Sequence, residues 1–74
     1  MLKLNGTDPV TLLRAAMAAR SKTRGDMSEK LDISQQTIGK WMGGKTSMPF
    51  EKIVEGAEFL GFDVRIEFVE RTDN

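Results

Sequence analysis

Among its 74 residues this chain has neither Cys nor His. Thiolate and imidazole nucleophiles, disulfides and the usual soft zinc sites are therefore excluded, and carboxylates remain the only candidate metal ligands. The closest group of them, Glu51, Glu55 and Glu58, recurs at helical spacing and reads as an exposed helix face. No catalytic residue, metal site or cofactor is assigned, and an enzyme is not expected. What the sequence does offer is hydrogen-bonding and cationic chemistry. Gln35 and Gln36 each carry an amide donor and an amide acceptor, and Lys40 follows one helical turn later. Thr23, Arg24, Ser34, Thr37, Lys45 and Thr46 add hydroxyls and positive charge nearby.

The formal net charge is zero, but it is unevenly spread. Residues 1–46 carry eight cations against four anions, a net of +4, and residues 47–74 carry three against seven, a net of −4. If folding keeps the two halves apart, the first attracts a polyanion and the second is repelled by it.

These groups must be held by local elements. Asp8-Pro9 predicts a helix start, with Asp as cap and Pro in the first turn; Val10, Leu13 and Met17 then recur at helical spacing to about residue 20. Thr23 is the expected cap of a second helix, with Asp26 in the capping-box position and an end near Leu31. Ser34 caps a third helix that runs to about Met42 and is stopped by Gly43-Gly44. A fourth is expected from Pro49, capped by Ser47 or Met48, with Phe50, Ile53, Val54, Ala57 and Leu60 on one stripe, ending at Gly61. Beyond it the period changes from 3.6 to 2: Phe62, Val64, Ile66 and Phe68 alternate with Asp63, Arg65 and Glu67, which predicts a strand over 62–70 and a polar tail.

Residues 24–41 have the pattern of a helix-turn-helix. Such a motif needs a small residue where the helices cross, apolar residues facing inward and a turn residue that tolerates positive φ. Ser28 is the small residue, Asp32 the turn, and Met27, Leu31, Ile33, Ile38 and Trp41 the inward set.

With these residues in place, the stretch 23–41 followed by Gly44-Lys45 resembles the helix-turn-helix of the Cro and repressor family of phage regulators, which has many bacterial relatives including antitoxins. Including the flanking helices, the resemblance covers 8–61. Three positions depart from the family pattern: Asp32 replaces the usual turn Gly, Ser28 the usual Ala, and Gly39 sits inside the third helix. Asp tolerates the left-handed region, so the first is mild. Gly39 should cost roughly 1 kcal/mol of helix stability relative to Ala, offset by close backbone approach to DNA.

The resemblance implies a mainly α fold, a lambda-repressor-like bundle of four helices followed by the strand, as one domain over 1–74. It also implies a function: the third helix enters the DNA major groove and its first residues touch base edges. Gln35 and Gln36 would then bridge adenine N6 and N7, and Lys40 would reach guanine O6/N7 or a phosphate. Thr23, Arg24, Ser34, Thr37, Lys45 and Thr46 would grip the sugar-phosphate backbone. Trp41, on the inward stripe with Ile38, is expected in the core.

A lone strand needs a partner. Three are available: a second copy of 62–69 in a homodimer, residues 1–4 of the same chain, or a partner protein's sheet edge. In the homodimer, Phe62, Val64, Ile66 and Phe68 cover the helices. A two-fold axis at Ile66 sets Arg65 opposite Glu67, whereas an axis at Arg65 sets Asp63 opposite Glu67, so the axis is expected at Ile66. Two such readers related by symmetry recognise a pseudo-palindrome with half-sites one turn, ~34 Å, apart.

No stretch approaches the ~20 apolar residues of a membrane span, and residues 1–6 lack the apolar centre of a signal peptide, so a soluble, cytoplasmic chain is expected. Two functions fit: a repressor acting on an operator, or an antitoxin whose acidic second half binds a toxin protein while the same motif controls its own operon.

Overall fold

The computed structural model describes residues 2–72. Met1, part of the expected N-terminal pairing segment, and Asp73 and Asn74 of the expected tail lie outside the described residues. Four helices follow in order: α1 (Pro9–Ala19), α2 (Arg24–Leu31), α3 (Gln35–Met42) and α4 (Phe50–Phe59).

The first three begin where their capping residues predict. Asp8 accepts the Val10 N–H at 3.1 Å and the Thr11 hydroxyl at 2.7 Å, with Pro9 in the first turn. Thr23 and Asp26 complete a reciprocal capping box on α2, and the Ser34 hydroxyl accepts the Thr37 N–H at 3.1 Å on α3. The fourth differs. Neither Ser47 nor Met48 caps it; Pro49 is the cap, and with no side-chain bond to offer it contributes only its carbonyl, which accepts from Lys52 and Ile53. Phe50, expected on the buried stripe, is 50% exposed, while Met48 is buried. Side chains in a helix lean toward its N-terminus, so a residue in the first position overhangs the core, and Met48, two residues earlier, joins the core instead.

All four helices close alike. The N–H of Lys22 donates to Met17 O, that of Ile33 to Ser28 O, that of Lys45 to Lys40 O and that of Phe62 to Ala57 O, at 2.9, 3.2, 2.9 and 2.9 Å. This six-to-one closure requires a left-handed residue just before the donor. Ser21, Asp32, Gly44 and Gly61 take that role, with φ of 56°, 57°, 78° and 85°. Ser28 reinforces the second closure, its hydroxyl donating to the Ile33 carbonyl.

The core draws on every helix: Leu13 and Ala16, Met27 and Leu31, Ile38 and Trp41, Ile53 and Ala57, closed by Met48 and Leu60. No polar or charged residue is buried among the described residues. α2 packs on α3 and α4, and α1 on the same two. Gly56 allows α4 this close: a Cβ there would stand 2.9 Å from Met27 Cε and 3.3 Å from Leu13 Cδ1, both in the filled core.

The expected strand over 62–70 is absent: no strand occurs among the described residues. Residues 2–6 do not pair with the segment either, although Leu4 packs on the core. The alternating pattern specifies two faces but supplies no ladder partner, and a single extended segment is not stable alone. No helix among the described residues is long and apolar enough to cross a membrane.

Candidate nucleic-acid interface

The residues expected at the interface fall on the start of α2, the outer side of α3 and the loop after it. Arg24 is the first residue of α2 and Gln35 the first of α3. The two starts lie side by side. Gln35 Nε2 lies 3.5 Å from where a Cβ on Gly25 would stand, and Arg24 Nη1 lies 2.9 Å from the corresponding point on Gly39. The outer side of α3 is thereby divided into two rows. Gln35 and Gly39 border α2, whereas Gln36 and Lys40, one turn apart, are exposed.

Gly39 has a structural role besides the expected close backbone approach to DNA. It leaves room for the Arg24 guanidinium over the middle of α3. That contact joins residues fifteen apart on different helices, and no local pattern reveals it.

The hydroxyls are partly committed. Thr23 donates both its N–H, at 2.8 Å, and its hydroxyl, at 3.0 Å, to Asp26 Oδ2. The Thr23 N–H first, then its hydroxyl, hold the Asp26 carboxyl below its ordinary value, with Lys22 adding attraction. Thr23 therefore builds the cap and has no hydroxyl proton left for an outside acceptor. Ser34 likewise donates to Thr37 Oγ1 at 2.9 Å. Thr37, half-buried, is the member of that pair whose own hydroxyl proton has no acceptor among the described residues. Lys45 and Thr46 use their backbone N–H groups on the Lys40 carbonyl and leave both side chains exposed.

The cations on this side are not held in close ion pairs among the described residues. Among the described residues the single salt bridge is Lys52 to Glu55, 2.9 Å, on α4. Among the described residues no carboxylate comes within salt-bridge distance of Arg24, Lys40 or Lys45, nor of Arg14 of α1, which lines a surface depression of about 370 Å³ together with Asp8, Lys45 and Thr46. In the sequence Arg14 carries no functional signal, because it lies off the apolar stripe of α1, where a cation ordinarily marks only a solvated face. No trio of carboxylates is gathered for a metal among the described residues.

The residues expected at a dimer contact separate into an anchored and a free part. Phe62 packs against the core beneath Arg20, whose guanidinium carbon is 4.5 Å from the ring centroid and whose Nε donates to the Leu60 carbonyl at 2.9 Å. Beyond it exposure rises along one alternating face, 37% at Val64, 64% at Ile66 and 98% at Phe68. Arg65 and Glu67, on the other face, are exposed.

No protein-family model matches the chain, and no curated protein or solved structure shows significant similarity to it.

Proposed function

We propose that this chain is a sequence-specific, double-stranded DNA-binding transcriptional regulator, a Cro-like repressor in which α2 and α3 act as a helix-turn-helix. The observation that carries this reading is the outer side of α3: Gln36 and Lys40 exposed in one row, Gln35 beside them, and Arg24, without a salt bridge among the described residues, laid along the same helix. An eight-residue helix is about 12 Å long. That length fits the major groove, where Gln reads adenine and Lys reads guanine or a phosphate. Arg24, Thr37, Lys45 and Thr46 set its register on the backbone, with Thr23 and Ser34 supporting them through the helix caps.

One such helix spans only a few base pairs, so specificity requires a second copy. The segment 62–70 supplies it: in the homodimer it pairs antiparallel with its counterpart about Ile66, forming the strand that a single chain lacks and covering Val64, Ile66 and Phe68. Selection of bound sites from random DNA tests the reading. It should enrich an inverted repeat with half-sites one turn, ~34 Å, apart. Failure to enrich any sequence would remove it.

A second reading is supported by the same exposed, acidic segment. In an antitoxin, Ile66, Phe68 and Val69 would dock on a toxin protein instead of a second copy. A monomer that dimerises at no concentration, yet binds a protein encoded beside it, would favour that reading.

A further inference from the structure

Along the seam between α1 and α3 runs a shallow groove of about 290 Å³, lined by Arg14, Met17, Ala18, Lys22, Arg24 and Met42. Its floor is apolar, its rim cationic, and no carboxylate lines it. Arg14 also borders the adjoining depression with Lys45, Thr46 and Ser47, so one guanidinium stands where the two meet. Asp8 lies in that second depression, with its carboxylate occupied by the Val10 N–H and the Thr11 hydroxyl. The Lys22 amine is 5.7 Å from the Phe59 ring centroid, so Lys22 adds charge and its stem, while Arg14 and Arg24 form no salt bridge among the described residues.

Ten of the chain's eleven acidic side chains belong to the described residues, and none of those ten lines this groove. Lys22 is partly offset by Asp26 and Arg14 has Asp8 in the adjoining depression, but no carboxylate stands between Arg14 and Arg24 in the groove itself, and an arriving polyanion relieves the repulsion of those two cations.

We propose that the groove is a binding site for the sugar-phosphate backbone of one DNA strand. Arg24 grips a phosphate at one end, Lys45 grips another beyond the adjoining depression, and Arg14 holds one between them. The deoxyribose faces lie against Met17, Ala18 and Met42. This assignment rests on the DNA-binding reading and extends it: α1 is then part of the interface as well as of the scaffold.

The test is the salt dependence of binding to a labelled duplex of mixed sequence, two helical turns long, between about 50 and 200 mM salt. Each phosphate contact contributes about 0.9 to the slope of log K against log salt. Arg14→Gln should lower the slope by about that amount for every duplex sequence while leaving the melting temperature unchanged. Ala18→Glu, which places a carboxylate on an exposed position of the floor, should weaken binding further, and Lys52→Gln on α4 should change nothing. If Arg24→Gln and Lys45→Gln flatten the slope but Arg14→Gln and Ala18→Glu do not, the backbone takes another path and this proposal fails while the DNA reading stands. If the unmodified protein shows no salt-dependent duplex binding, both fail. An Arg14→Gln loss confined to single-stranded RNA would also overturn the assignment. Should Ala18→Glu not fold, Arg14→Gln decides alone, because Arg14 is exposed and outside the core.

Discussion

Arg24 lays its guanidinium across Gly39, with Nη1 2.9 Å from the point a Cβ at residue 39 would occupy. The first residue of α2 is thus held over the middle of α3, and the glycine that weakens α3 is what makes room for it. Gly39→Ala should raise folding stability by ~0.5–1 kcal/mol, because the helix gains propensity and the obstructing atom is the end of an exposed, flexible side chain. The displaced Arg24 should lower duplex affinity several-fold. Chemical denaturation alongside a binding titration checks both; a destabilised Gly39→Ala would show that Arg24 cannot yield.

Ser21 closes α1 in the left-handed region with φ 56°, a conformation costing a residue with a Cβ roughly 1 kcal/mol. Ser21→Gly should stabilise the fold by up to ~1 kcal/mol, reduced by the greater freedom of glycine in the unfolded chain. A lowered denaturation midpoint would show that Ser21 earns its place through a contact that glycine lacks.

Acid should weaken the fold through its caps. Asp26, bonded by the Thr23 N–H and hydroxyl, and Asp8, bonded first by the Thr11 hydroxyl and then by the Val10 N–H, both titrate below the ordinary 3.8. A carboxyl whose pKa is lower folded than unfolded contributes stability in full above the unfolded value and loses it as pH falls through 3.8 toward the folded value. Melting temperature should therefore drop across that window, and Asp26→Asn should shallow the drop. An acid decline of unchanged steepness in Asp26→Asn would contradict the assignment.

The dimer register can be tested by charge. With the axis at Ile66, Arg65 faces Glu67 of the second copy, so Arg65→Glu should weaken dimerisation and the swap Arg65→Glu with Glu67→Arg should restore it. Each exposed pair contributes roughly 0.2–1 kcal/mol, and symmetry doubles the effect. Sedimentation equilibrium reads the dimer constant. No loss in the single variant, or no recovery in the swap, would place the axis elsewhere.

Much of this architecture was legible from local signals. Asp8-Pro9, Thr23 with Asp26, and Ser34 announce three helix starts, because a capping bond spans only two or three residues. Asp32 was readable as a left-handed turn from its residue type, whereas Ser21 was not, since serine carries no preference for that region. Phe50 shares the apolar stripe yet is exposed, because periodicity marks a face but not where the core ends along it. The sequence named Gln35, Gln36 and Lys40 but could not divide them into rows, since the division comes from α2 lying against Gln35 and Gly39. Arg14 and the Arg24–Gly39 contact arise only when separate helices meet. The segment 62–70 is the opposite case: its pattern is plain in sequence, but pairing requires a second surface.

The central claim is that α3 reads base edges. It is tested most directly by comparing the site preferred by the unmodified protein with that of a Gln35→Ala, Gln36→Ala double variant, measured as affinity for the selected site and for each single-base change within it. Loss of the two amides should cost ~1–3 kcal/mol per contact on the selected site, relax preference at the base pairs they touch, and leave affinity for unrelated duplex unaltered. Unchanged discrimination in the double variant would contradict the claim.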